Sequence, residues 1–130
     1  MSSTMIVPTL SVRHAAQAIE FYKKAFGAVE LMRAESPDGE CVAELSIDGA
    51  RFVVADEAPA YNNHSPESIA GKSAIRMGLQ VINPDETARK AMDAGAREIY
   101  PVADQHYGYR LGRYEDPYGH HWEIFKPLQH

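Results

Sequence analysis

The segment HHWEI, from His120 to Ile124, brings two histidines, a tryptophan and a glutamate together directly after the turn sequence DPYG. If this segment is a strand, alternation places His121 and Glu123 on one face and His120 and Trp122 on the other. An imidazole and a carboxylate on one face can bind a divalent metal ion or transfer protons. Two ligands do not complete a tetrahedral or octahedral site, so a metal would need further ligands from elsewhere.

Other residues with chemical potential are scattered along the chain. His64 and His106 fall in predicted loops and lack the spacing of metal ligands, and His14 is predicted at the surface at the start of a helix. Cys41 begins a predicted strand, and no neighbouring residue indicates an activated thiolate. The sequence offers neither a serine or cysteine nucleophile with a plausible base nor a glycine-rich phosphate loop. These observations argue against acyl transfer and nucleotide binding.

Composition narrows the class of protein further. The chain has 130 residues, enough for one domain, with 45% hydrophobic residues and a net charge of −5. It has no run of lysine and arginine, so we expect no nucleic-acid partner. No stretch approaches the roughly 18 apolar residues of a membrane helix, and the N-terminal residues do not resemble a signal peptide. A single cysteine suits a reducing compartment, so we expect a cytoplasmic protein with no membrane partner.

The pattern of the chain is repeated. The segments FGAVEL and AGAREI begin at positions 26 and 94, 68 residues apart, and each follows a stretch with helical spacing of apolar residues. An alternating strand precedes each helix, and a hairpin follows it, with the turns DG at 48–49 and DPYG at 116–119. This order predicts an α+β fold of two βαβββ modules, at about 5–56 and 73–127, joined by a linker at about 57–72.

Three longer segments carry a resemblance to a known family. AIEFYKKAFGA (18–28), SPESIAGKS (65–73) and DQHYGYRLGRYEDPYGHHWEI (104–124) resemble the vicinal oxygen chelate superfamily, which includes glyoxalase I, bleomycin-resistance proteins and extradiol dioxygenases. Within it, they look most like the PhnB-like branch. The resemblance spans nearly the whole chain and implies a single domain, 1–130, whose modules form a curved, barrel-like mixed sheet with helices on the outer face. It also implies a homodimer with each cleft formed by two modules.

The resemblance also implies four positions for metal ligands, usually His, Glu, His and Glu in chain order. Carried onto this chain, the first falls on Val7 and the second on Val53, with Glu57 as the nearest carboxylate. The third falls on Arg76, whose guanidinium has no lone pair for a metal. Only the fourth, Glu123, matches. We therefore expect no metal or other cofactor, and the weak candidates for metal ligands are Glu123, His121 and Glu57.

Alternation predicts which side chains line the cleft. If Leu10 and Val12 face the first helix, the alternate residues of each strand face the ligand. The predicted ligand-binding residues are Arg76, Glu123, His121, Gln80, Thr9 and Phe125. We further predict that Arg76 and Glu123 form an ion pair at the former metal position, with His121 beside it and spare donors for a ligand's anionic or carbonyl oxygen. No catalytic residue is assigned.

Three functions fit this site. The preferred one is metal-free binding of a small organic molecule by a homodimer. The alternative is a divalent-metal-dependent lyase, isomerase or dioxygenase that would need ligands from Glu57, His121, Glu123 or loop histidines in an unusual arrangement. A weaker possibility is catalysis without metal, with His121 or Glu123 as general base and Arg76 stabilising an oxyanion. The sequence leaves open whether any reaction is catalysed.

Overall fold

The computed structural model describes residues 3–129, so Met1, Ser2 and His130 lie outside the described part. The first module consists of β1 (Thr9–Val12), α1 (Ala15–Phe26), β2 (Val29–Glu35), β3 (Cys41–Ile47) and β4 (Ala50–Asp56). The second consists of β5 (Arg76–Gln80), α2 (Pro84–Ala94), β6 (Arg97–Asp104), β7 (Tyr109–Glu115) and β8 (His121–Pro127). Two short 3₁₀ helices, Pro59–Tyr61 and Pro66–Ile69, lie between the modules. The α+β fold of two βαβββ modules is therefore confirmed.

Each module forms one four-stranded mixed sheet. The strand orders are β1-β4-β3-β2 and β5-β8-β7-β6, and in each sheet the first pair is parallel and the others are antiparallel. Thr9 pairs with Val53 in the first sheet as Gly78 pairs with Glu123 in the second. The two sheets therefore repeat in register, which confirms that Val53 and Glu123 occupy equivalent positions.

The two helices begin in different ways. The side chain of Asn83 accepts a hydrogen bond from the backbone N–H of Glu86, with Pro84 at the first helical position of α2, as the sequence predicts. At α1 the side chain of His14 makes no cap. Instead, the carboxylate of Asp56, at the end of β4, accepts from the backbone N–H of Ala15 at 2.8 Å. A strand residue thus satisfies the first turn of α1.

The helix-covered faces of the two sheets share one hydrophobic core. Leu10 and Val12 of β1 and Leu79 of β5 are buried on these faces, as their alternation predicts. The ring of Trp122 in β8 lies 5.7 Å from that of Phe52 in β4, centroid to centroid. Side chains of the two sheets can meet in this way only if their helix-covered faces are turned toward each other. The opposite face of each sheet therefore points outward.

A buried carboxylate joins the modules within this core. Asp116, at the DPYG turn, is 4% exposed. Its Oδ1 accepts from the backbone N–H groups of Tyr118 and His120, and its Oδ2 accepts from the Trp122 indole at 3.0 Å and the Tyr22 hydroxyl at 2.5 Å. Burial, and then the charge of Asp116, raise the pKa of Tyr22 well above its ordinary value. The phenol therefore remains a donor from α1 to the second module.

No helix within residues 3–129 is both long enough and apolar enough to cross a membrane, since α1 has 12 residues and α2 has 11.

Replacing Tyr22 with phenylalanine tests this link between the modules. The change removes one donor from a buried carboxylate and leaves the ring in place, so we expect the free energy of unfolding to fall by about 1.5–3 kcal/mol. Urea unfolding followed by circular dichroism would measure the loss. Tyr61→Phe is the matched control, because Tyr61 is 82% exposed and its loss should change stability by less than about 0.5 kcal/mol. Equal stability of the two variants would contradict the role of Asp116.

Candidate functional site

The outward face of the second sheet, here called the second open face, carries most of the predicted site. Cross-strand pairing arranges its side chains in three rows. The charged row contains Arg76, His121, Glu115 and Arg97. The central row contains Gly78, Glu123, Arg113 and Tyr100. The apolar row contains Gln80, Phe125, Leu111 and Ala103. The face therefore changes from charged to apolar along the direction of the strands.

Glu123 lies between two guanidinium groups on this face. Its Oε2 is 3.1 Å from Nε of Arg76 and 3.0 Å from Nη2 of Arg113. Gly78, the direct partner of Glu123 on β5, has no side chain to obstruct Arg76. The predicted ion pair between Arg76 and Glu123 is therefore present. Its setting is wet, because the Arg76 side chain is 57% exposed and that of Glu123 is 23% exposed.

Arg113 was missed by the sequence analysis. Its guanidinium carbon lies 5.5 Å from the ring centre of Tyr100, which is within the range of a cation–π contact. Its Nε is buried and donates to no acceptor among residues 3–129. A signal for it did exist, because the DPYG turn fixes the β7–β8 register and this register pairs Arg113 with Glu123. The arginine therefore belongs to the site by hairpin geometry.

The remaining predicted residues divide between two faces. His121 lies on the charged row, between Arg76 and Glu115 in register, whereas Gln80 and Phe125 lie on the apolar row. Thr9 lies on the outward face of the first sheet, because its neighbour Leu10 is in the core. The structure therefore brings five of the six predicted ligand-binding residues together on one face and places Thr9 on the opposite side of the chain.

The third candidate metal ligand, Glu57, is engaged elsewhere. Its carboxylate accepts hydrogen bonds at 2.9 Å from the backbone N–H of Ser65 and from the hydroxyl of Ser68, and Arg13 lies 3.8 Å away. The hydrogen bond from Ser65, followed by that from Ser68, lowers the pKa of Glu57. Among residues 3–129, no three histidine, cysteine, aspartate or glutamate side chains lie close enough together to hold a metal ion. The residues present therefore do not fit the four-ligand site of the superfamily.

A groove between the modules reaches the edge of the second open face. It has a volume of about 1280 Å³ and lies where the end of α1 and the β3–β4 hairpin approach β5 and α2. Gly78 and Gln80 are part of its lining. Because β5 is an edge strand, the groove borders both the central row, at Gly78, and the apolar row, at Gln80.

Two βαβββ modules, each with one open face, define the architecture of a known class of proteins. Residues 4–124 match the family profile of the Glyoxalase/Bleomycin resistance protein/Dioxygenase superfamily, and the chain belongs to this family. An uncharacterised protein of Mycobacterium bovis is 38% identical over 126 residues, which cover 94% of this chain and 82% of that protein. The X-ray structure of an Arabidopsis thaliana gene product is also similar, with a TM-score of 0.70 at 26% identity. The match covers 95% of this chain and 98% of that chain.

A more distant structure shares the fold. The crystal structure of a genomically encoded fosfomycin resistance protein from Listeria monocytogenes, complexed with Mn(II) and sulfate, has a TM-score of 0.72 at 16% identity. The match covers 98% of this chain and 95% of that chain. At this identity the likeness shows the fold alone.

The exposure of Arg76 determines the expected cost of removing it. Arg76→Ala should lower the free energy of unfolding by less than about 1 kcal/mol, because an exposed pair contributes little and Arg113 still contacts Glu123. Removing Arg113 as well leaves Glu123 unpaired and should cost about 1–3 kcal/mol more. Urea unfolding would measure both variants.

Arg89→Ala is the matched control for Arg76→Ala. Arg89 pairs with Glu86 and Asp93 on α2, and its side chain is also 57% exposed. A loss of about 3–5 kcal/mol for Arg76→Ala alone would show instead that the pair behaves as a buried one.

Proposed function

We propose that this protein binds a small organic molecule on the second open face, without a metal, through an anionic or carbonyl oxygen of the ligand. One observation carries the proposal: the Arg76 guanidinium lies 3.1 Å from Glu123, at the positions where the superfamily places its third and fourth metal ligands. A guanidinium cannot bind a metal ion, yet it has donors left over for a ligand oxygen. Arg76, Arg113, Glu123, His121, Gln80 and Phe125 are the proposed binding residues.

A second copy of the chain would complete the cleft. The second open face alone is one wall, and the outward face of the first sheet, with Thr9, Val53 and Met32 in one cross-strand row, points away from it. We propose that a homodimer places the outward face of the first sheet of one copy opposite the second open face of the other. The isoleucines just before the edge strands, Ile6 at 92% and Ile75 at 70% exposed, support such an interface.

We also propose that the protein belongs to the PhnB-like branch of the superfamily and is cytoplasmic. The segments around 18–28, 65–73 and 104–124 support membership of the PhnB-like branch. A reducing, cytoplasmic location is supported by Cys41, which is a free thiol whose pKa is raised by burial. We assign no catalytic residue. A metal-dependent lyase, isomerase or dioxygenase remains the alternative, and the fold shared with the Listeria protein that was crystallised with Mn(II) is the observation in its favour.

Metal content separates the two functions. Protein purified without chelators should contain far less than one divalent ion per chain by elemental analysis, because Val7, Val53 and Arg76 occupy three of the four ligand positions. Arg76→His is the informative variant, since it restores one imidazole beside Glu123 and His121 but leaves both valines in place. It too should bind Mn²⁺ only weakly. One ion per wild-type chain would overturn the metal-free proposal.

Light scattering tests the dimer. We expect twice the mass of one chain at micromolar concentration, because the edge strands and their exposed isoleucines should be covered by a second copy. The double variant Ile6→Asn/Ile75→Asn should shift the mass toward one chain while keeping the wild-type circular dichroism spectrum. A wild-type mass of one chain across the accessible concentrations would contradict the proposal.

A further inference from the structure

The second open face carries an uneven balance of charge. Its rows contain three arginines and two glutamates: Arg97 pairs with Glu115, and Arg76 and Arg113 share the single carboxylate of Glu123. These five side chains carry one net positive charge, although the whole chain carries −5. The excess lies at Glu123, where two guanidinium groups contact the same oxygen. This point therefore attracts one negative charge.

The donors at this point are only partly used. Arg76 contacts Glu123 through Nε, and Arg113 contacts it through Nη2. The Nε of Arg113 is buried and has no acceptor within residues 3–129, and an unpaired buried donor is costly. A planar carboxylate matches the fork of donors that a guanidinium presents. Both Nη groups of Arg76 and the Nη1 group of Arg113 contact no acceptor within residues 3–129, so a ligand carboxylate would satisfy donors that the protein itself leaves open.

An aromatic surface adjoins the charged point. Phe125 is two residues beyond Glu123 on β8 and on the same face, so it lies about 7 Å away along the strand. Tyr109 packs edge-on against it, with 5.5 Å between the ring centres, and Leu111 is its direct partner on β7. On the other side, Gly78 leaves the edge of Phe125 uncovered. A carboxylate attached to one aromatic ring could therefore contact the arginines and Phe125 at the same time.

We propose that the ligand is an organic monoanion, a carboxylate carried on a flat apolar or aromatic body. This inference rests on the proposed function and specifies its ligand. The carboxylate lies between Arg76 and Arg113, and the body extends over Phe125 and Leu111. A neutral ligand would leave the excess charge unmatched. A dianion would bring a second negative charge beside Glu123, with only one net positive charge to receive it.

Three probes of similar shape and different charge test this inference on the full chain. Benzoate, benzamide and phenyl phosphate present one, no and two negative charges at slightly alkaline pH. At constant ionic strength, amide NMR titrations should show benzoate shifting resonances of β5 and β8. Benzamide should bind at least about tenfold more weakly, because it lacks the charge-assisted contacts. Phenyl phosphate should bind no more tightly than benzoate.

Two variants then change the charge at the site. Glu123→Gln raises the excess from one positive charge to two, so phenyl phosphate should gain about tenfold and overtake benzoate. Arg113→Met should weaken benzoate by about tenfold. Arg110→Met is its matched control. It removes the same charge from the same strand, but Arg110 pairs with Asp85 and Asp104 on the helix-covered side, so benzoate affinity should be unchanged.

The outcomes separate this inference from the function on which it rests. Equal affinity for benzamide and benzoate at these residues would contradict the monoanionic ligand but would still agree with binding of a small organic molecule. Tighter binding of phenyl phosphate to the wild-type protein also overturns it. If none of the three probes shifts β5 or β8, the inference fails. If a panel of neutral and cationic aromatic fragments then shifts none of these resonances either, the proposed function fails with it.

Discussion

The position of one module against the other depends on the buried carboxylate of Asp116. A carboxylate that is 4% exposed is tolerated only when its oxygens are fully hydrogen-bonded, and four donors surround this one. Two are backbone groups of its own turn, one is the Trp122 indole of β8, and one is the Tyr22 hydroxyl of α1. Because the last comes from the other module, relative movement of the modules would leave the charge short of a partner. The carboxylate therefore constrains the angle between the modules as well as the turn.

This constraint explains why the candidate site faces outward. The rings of Tyr22, Phe26 and Phe52 from the first module contact Trp122. The helix-covered faces of both sheets are therefore buried in a common core. The imidazole of His120 adds a contact at the edge, 2.9 Å from the carbonyl oxygen of Ser11 in β1. With both inner faces filled, polar residues that alternate with core residues have only the outer faces left. The charged and apolar rows of the second sheet are the consequence.

Local patterns were enough to predict the helices and strands and the face on which each strand residue lies. They also placed five of the six predicted ligand-binding residues on one face, the second open face. Alternation with period two acts on each strand independently, so Leu10, Leu79 and Glu123 could each be assigned a face without knowing the tertiary structure. Three features could not be obtained in this way. Asp56 caps α1 from across the sheet, Asp116 accepts from α1, and Thr9 is on the wrong side of the chain for the site. Each depends on contacts between elements distant in sequence. Arg113 was different, because the register of the β7–β8 hairpin pairs it with Glu123 and could have been obtained from the sequence.

The charges of the site differ in sign from those of the metal site that the resemblance implies. In the ligand set that the family implies, two carboxylates and two imidazoles face a divalent ion, and the ion's two charges balance the two carboxylates. Here Val53 removes one of those carboxylates, and Arg76 replaces one of the imidazoles with a fixed positive charge. Glu123 alone needs only one positive charge, which Arg76 supplies at 3.1 Å. Arg113 supplies a second, so the balance changes sign. The second open face therefore holds one carboxylate between two arginines, a balance of charge opposite in sign to that of the ligand set that the family implies.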